Sequence, residues 1–243
     1  MKEQRFFYAP DAIQSTQLPP DEATHALRVL RLGQGDEIFL IDGKGSFHRA
    51  VVSLTSNHHC CYEIVESLPQ VKPWRGHLHI AMAPTKMMER VEWMAEKATE
   101  IGVDEFSFLD CRFSERRNLK VERIGKIITA AVKQSRKAWM PVVNPLVAFS
   151  QFIANHPTGA RFIAHCYEEY PRQDLFKLLS NPALPIDDGV TVMIGPEGDF
   201  STDEVELAIR HGFIPVSLGE CRLRTETAAL SAVMMAQLSL RNS

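Results

Sequence analysis

The sequence predicts a two-part α/β protein: a small β-rich unit over residues 1–72, then a mostly parallel sheet covered by helices over residues 73–243. Three observations predict it. Short apolar runs separated by Gly, Ser and Asn turns fill the first seventy residues. From Leu78 onward apolar runs alternate with helix-periodic segments, the pattern of a parallel sheet with crossover helices. Between the two lies Gln70-Val71-Lys72-Pro73, which reads as a linker.

RFFYA opens the chain as a strand. DEATHALRVLR reads as a helix, with Ala23, Ala26, Leu27 and Leu30 at helical spacing and acids at its start. EIFLIDG, SFHRAVVSL and CYEIVESL follow as strands, and Asp42-Gly43-Lys44-Gly45 suits a hairpin turn. Strands this short and this close suggest a small barrel. HLHIAMA then reads as a buried strand, and TKMMERVEWMAEKATEIGV as a helix ended by Gly102, with Val91, Met94, Ala95, Ala98 and Ile101 as its apolar stripe. FSFLDC is a strand and VERIGKIITAAVKQSRKAW a helix. RFIAHC, VTVMIG and PVSLG are strands that each run into a polar or glycine-rich loop. A helix starts at Ser201, where Ser201 and Glu204 have capping-box spacing. The last helix starts near Thr225, with Thr225 or Thr227 as its expected cap, and runs through TAALSAVMMAQLSL.

Composition excludes several classes. At 45% hydrophobic and 23% charged residues, the 243-residue chain is an ordinary globular protein. No apolar run approaches the ~20 residues that span a bilayer, and the N-terminus lacks a signal-peptide core, so no membrane partner and a cytoplasmic location are expected. Five cysteines form no CxxC pair. His58-His59-Cys60-Cys61 alternates across a strand and cannot converge on one ion, so no metal is expected. The net charge is −3, yet Arg112–Lys137 holds nine basic residues against Glu115 and Glu122. Such a local excess reads either as a phosphate-binding face or as a solvated helix surface.

Ligands of parallel sheets bind beyond the carboxyl ends of the strands. Three strand ends here are equipped for it: Ala164-His165-Cys166-Tyr167-Glu168, Gly195-Pro196-Glu197-Gly198, and the segment from Leu218 to Thr227. Glycine permits close backbone approach and proline fixes a dihedral. There is no GxGxxG after an early strand, no GxxxxGK[ST] and no GxSxG. The ligand is therefore handled by late loops rather than by the first βα turn.

MIGPEGDFSTDE and LGECRLRTETAAL together resemble the signature of SPOUT-class methyltransferases, and more narrowly of the RsmE family, which methylates N3 of a uridine in 16S ribosomal RNA. HALRVLRLGQGDEIFLIDGKG is similar to that family's N-terminal PUA-like β-barrel. KMMERVEWMAEKATEIGVDEF is similar to the first helix of its catalytic domain, RFSERR to a basic loop, and the Gln134 to Pro141 spacing is kept. The resemblance implies a SPOUT-type C-terminal domain with a trefoil knot, S-adenosylmethionine as cofactor, 16S rRNA in the small ribosomal subunit as partner, and a homodimer. It implies a cofactor pocket made by His165, Ile194, Gly195, Pro196, Glu197, Gly198, Leu218, Gly219, Leu223, Arg224 and Thr225. Arg224 is expected to stabilise charge on the acceptor base, unless it forms an ion pair with Glu226 or Glu197. Glu226, Glu197 and His165 are the candidates for the base, with Glu226 placed beside Arg224 as catalytic. Arg112, Arg116, Arg117, Arg136 and Lys137, with Arg5, Arg28 and Arg31 of the barrel, are expected to contact RNA. Lys133, Lys137 and Trp139 depart from the family pattern, and Lys133 and Lys137 are read as keeping local positive charge; Asp199 replaces a common glycine. Two alternatives stand beside this reading: a SPOUT enzyme acting on tRNA or a ribose 2′-hydroxyl, and a non-catalytic rRNA-binding assembly factor.

Overall fold

A computed structural model describes residues 4–155 and 159–241. The chain forms two compact units, Met1–Lys72 with Thr129–Met140, and Pro73–Ile128 with Pro141–Ser243.

The first unit is built on a four-stranded mixed sheet in the order β1-β2-β3-β4, with β1 (Phe6–Tyr8), β2 (Glu37–Ile41), β3 (Ser46–Thr55) and β4 (Cys60–Pro69). β1 runs parallel to β2, and the other pairs are antiparallel. The Asp42–Gly45 turn joins β2 to β3, where the Asp42 carboxylate accepts the N–H groups of Lys44 and Ser46. Helix α1 (Pro20–Thr24) continues as a π-helical turn over His25–Val29. Alternation along the strands puts Phe7, Ile38, Leu40, Ala50, Val52 and Tyr62 into one core with Ala23 and Ala26. Cys60 lies in that core while Cys61 is half-exposed, as adjacent strand residues must be.

Residues 129–140, in the middle of the chain, complete this unit. Lys133 donates to Glu22 at 2.7 Å, both side chains largely buried. Trp139 lies over Gly45, whose missing side chain leaves the room: a Cβ there would stand 3.1 Å from the indole nitrogen. The departures at 133 and 139 thus serve packing, and Lys133 is neutralised rather than left as free positive charge.

The second unit has a seven-stranded, all-parallel sheet in the order β7-β6-β5-β10-β8-β11-β9. Its strands are β5 (Leu78–Met82), β6 (Glu105–Asp110), β7 (Val142–Ala148), β8 (Ala160–Ala164), β9 (Gln173–Asp174), β10 (Val190–Ile194) and β11 (Ile214–Ser217). β5 and β10, central and covered on both faces, are buried at every residue. The helices are α2 (Met88–Ile101), α3 (Val121–Ser135, which passes into the first unit at Thr129), α4 (Phe149–Ala154), α5 (Leu175–Leu179), α6 (Thr202–Arg210) and α7 (Thr225–Leu240). α2 packs on α7, and α7 on β5 and β10. α4 and α6 cover the opposite face through Phe149, Phe152, Ile153, Val205 and Ala208. α2 ends where Gly102 adopts a φ of 122°; a side chain there would collide with Gln237, whose amide donates to the Gly102 carbonyl. No helix among the described residues is long and apolar enough to cross a membrane.

Candidate active site at three adjacent strand ends

β10, β8 and β11 are neighbours in the sheet, so the three equipped loops seen in the sequence meet at one edge. Beyond their carboxyl ends lies a cavity of about 940 Å³. His165, Ile194, Gly195, Pro196, Glu197, Gly198, Leu218, Gly219, Leu223, Arg224, Thr225 and Glu226 all line it.

The Gly195–Asp199 turn is held by an Asp199 N–H to Pro196 carbonyl bond of 2.9 Å. Its glycines have different tasks. A Cβ on Gly195 would stand 3.0 Å from the Phe200 nitrogen and 3.1 Å from the Phe200 ring, so Gly195 serves the packing of the turn itself. A Cβ on Gly198 would press on Phe113 at 3.2 Å. Gly219 is the one open to a ligand: its φ is 113°, and nothing lies within 4 Å of where a side chain would start.

Glu197 is a tether. Its Oε1 accepts the Lys86 backbone N–H at 2.9 Å, joining the turn to the loop between β5 and α2. Asp199 is another. It has a φ of 66°, where glycine is easiest, and its carboxylate recovers the cost by accepting the N–H groups of Cys166 and Phe200, each at 2.8 Å. The residue that replaces a glycine therefore ties the β10 loop to the β8 loop. α6 begins with the Ser201–Glu204 capping box, and the second oxygen of Glu204 accepts the Arg112 N–H at 2.9 Å.

His165 is 4% exposed. Its Nδ1 accepts the Tyr167 N–H at 3.2 Å, which puts the proton of the neutral ring on Nε2. That Nε2 is buried without a partner among the described residues. Burial pushes the imidazole pKa below its usual value, with Asp199 pulling weakly the other way, so the ring is held as a neutral donor.

Arg224 is the N-cap residue of α7, and neither Thr225 nor Thr227 caps that helix with its side chain. Thr225 is already inside the helix, so its hydroxyl lies past the position from which a cap bonds back. The Arg224 guanidinium is exposed and has no hydrogen-bond or ion-pair partner among the described residues. Neither expected counter-ion takes it: Glu197 holds Lys86, and Glu226 pairs with Arg90, Nη1 to Oε1 at 3.5 Å. Arg90, on the first turn of α2, is a cavity residue that sequence reasoning missed. It belongs to a helix more than a hundred residues upstream, in a segment whose resemblance marked it only as a helix.

The basic residues divide between the units. Arg116 donates to the Lys86 carbonyl at 2.7 Å, and Arg117 to Asp110, so both brace the loop after β6. Arg112 projects from the same loop and is exposed. In the first unit Arg5 pairs with Asp36 at 3.8 Å, Arg28 and Arg31 are exposed, and Arg136 stacks over the Phe6 ring at 5.3 Å. Lys137 follows it in the same unit.

Residues 72–237 match the RNA methyltransferase domain family, and residues 18–65 match the RNA methyltransferase PUA domain. Ribosomal RNA small subunit methyltransferase E of Synechocystis sp. is 30% identical over 97% of this chain and 77% of its own length. A probable rRNA-methyltransferase from Porphyromonas gingivalis is 45% identical, with a TM-score of 0.89 over 97% of this chain and 98% of that one. Ribosomal RNA small subunit methyltransferase E from Neisseria gonorrhoeae, solved bound to S-adenosyl methionine, is 25% identical with a TM-score of 0.83, again over 97% and 98%. With both units matched in order and the three-loop cavity formed, the chain belongs to the RNA methyltransferase family of ribosomal RNA small subunit methyltransferase E.

Proposed function

We propose that this protein transfers a methyl group from S-adenosylmethionine to N3 of a uridine in 16S rRNA of the small ribosomal subunit. The observation that carries the reading is the cavity: three adjacent strand ends close round a space of about 940 Å³, with Arg224 in its wall left without a partner among the described residues. The residues fit the cofactor. The volume suits a nucleoside-sized ligand, and the glycines and proline among the lining residues let backbone groups approach it. Ile194, Gly195, Pro196, Gly198, Leu218, Gly219, Leu223 and Thr225 would enclose the adenosyl part. Glu197 supports this wall through Lys86 rather than by touching the reacting atoms.

The bound cofactor supplies an electrophilic sulfonium methyl. The protein holds the acceptor base in line with it, and positioning of this kind accounts for most of the acceleration. As N3–H gives its proton to solvent water, charge builds on the flanking carbonyl oxygens. Arg224, which like Arg222 lines the cavity without a hydrogen-bond or ion-pair partner among the described residues, would face that charge. Glu226 stays engaged by Arg90, Nη1 to Oε1 at 3.5 Å. Arg5, Arg28, Arg31, Arg112, Arg136 and Lys137 orient the RNA through phosphates, with Arg116 and Arg117 shaping the loop that presents Arg112. The trefoil crossing, the cytoplasmic location and a homodimer belong to the same reading; the half-exposed Trp93, Met234 and Leu238 on the packed pair α2 and α7 support a subunit contact.

The test is methyl transfer from labelled S-adenosylmethionine to small ribosomal subunits lacking uridine N3 methylation, followed by nucleoside mass spectrometry. A 3-methyluridine product is expected. A methylated ribose, or transfer to tRNA alone, would replace the substrate; absence of cofactor binding would replace the enzyme by an RNA-binding factor.

A further inference from the structure

Glu226 is a buried carboxylate beside a needed cation. Its side chain is 9% exposed on the first turn of α7, two residues after Arg224, and both residues line the same cavity. A carboxylate in such a place takes whatever cation it can reach, because unpaired burial is costly. Arg224 is the nearest cation in sequence, yet it has no partner among the described residues. The cation that Glu226 holds instead is Arg90, from α2, whose side chain is 32% exposed. α2 and α7 pack directly on each other, so the pair is fixed by the register of two long helices rather than by loop geometry. Of the other acids on this side of the cavity, Glu197 is occupied by the Lys86 N–H and Asp199 by those of Cys166 and Phe200, while Glu220 has no partner among the described residues and does not pair with Arg224. Asp174, at the cavity edge, caps α5 through the Lys177 N–H.

We infer that Arg90 is a positioning residue whose task is to occupy Glu226 and so keep the Arg224 guanidinium free for the substrate. This rests on the methyltransferase reading above for the identity of the substrate, but the competition between two arginines for one carboxylate does not. In the absence of Arg90, Glu226 would turn to Arg224, and the catalytic cation would be lost to an internal ion pair.

Two readouts test it. The first is the ¹⁵Nε resonance of Arg224, identified by its disappearance in Arg224→Lys. It should shift in Arg90→Met as the guanidinium pairs with Glu226, and return in Arg90→Met/Glu226→Gln. The second is methyl transfer. Arg90→Met should lower kcat by roughly 30-fold or more with the cofactor Kd within about threefold of wild type, Arg90→Lys should stay within about threefold in both, and the double variant should regain about tenfold over Arg90→Met. Arg90→Gln substitutes if Arg90→Met does not fold. An Arg224 signal unmoved by loss of Arg90 overturns the inference. So does a double variant as inactive as Arg90→Met although the signal has returned, since Glu226 would then act in the chemistry itself. If wild-type protein transfers no methyl to the small subunit, the proposed function fails, and the resonance alone still decides the role of Arg90.

Discussion

Removing the Arg224 guanidinium separates chemistry from binding at the scale of one side chain. Arg224→Ala should cost about 10²-fold or more in turnover, the usual size for a lost charge-stabilising donor. The Kd for S-adenosylmethionine, measured by calorimetry, should stay within about threefold. Unchanged turnover would refute the role. Glu197→Gln probes the tether. It keeps an oxygen for the Lys86 N–H but removes the charge from that bond. Turnover should fall only severalfold, and the pH–rate profile should keep its shape, because Glu197 abstracts no proton. A shifted acidic limb would make it the base instead.

At the scale of elements, the turns after β10 and β11 are stabilised in different ways. Gly219 sits at a φ of 113°, a conformation that a side chain strains by about 1–3 kcal/mol. Gly219→Ala should lower the melting temperature by several degrees and weaken cofactor binding at least about tenfold, because the same atom would also intrude on the ligand's space. Gly195→Val should lose the cofactor as well, but by a different route. Its side chain meets Phe200 and displaces the turn, so near-ultraviolet circular dichroism should change with affinity. Ser201→Ala removes the side-chain cap of α6 and should cost about 1 kcal/mol in urea unfolding.

Across the whole molecule, the sheet carries a polar network far from the cavity that sets its acid stability. His79 on β5 bonds to Ser107 at 2.8 Å and lies near Glu105, which accepts from His77 and Asn144. Burial pushes the His79 pKa down to about 4, while the bond from His77, ahead of His79 and Asn144, holds Glu105 at about 2 against its own burial. The signs follow. As pH falls from 6.5, the unfolded chain binds a proton at His79 that the folded chain refuses, so stability drops until about pH 4. Each unit of difference is worth about 1.4 kcal/mol, which makes the whole loss of the order of 3 kcal/mol. Glu105 adds its loss below pH 4.5. Urea unfolding between pH 7 and 4.5 should show this decline, and His79→Leu should flatten it. An equal slope in the variant would assign the decline elsewhere.

Most of the strands and long helices, and the three loops that line the cavity, were legible in the sequence, because apolar periodicity and Gly-Pro punctuation are local signals. It also marked Ser201–Glu204, whose cap closes over three residues. It did not reveal β7, an edge strand interrupted by Pro145, or β9, only two residues long; neither carries enough periodicity to read. The assignment of residues 129–140 to the first unit, the pairing of Lys133 with Glu22, and the tethers made by Glu197 and Asp199 were decided only by tertiary structure. So was Arg90. Each depends on which distant segments the sheet order brings side by side, and a charged group's role is fixed by its nearest counter-charge in space. Sequence spacing names the charges present; packing decides which remain unpaired.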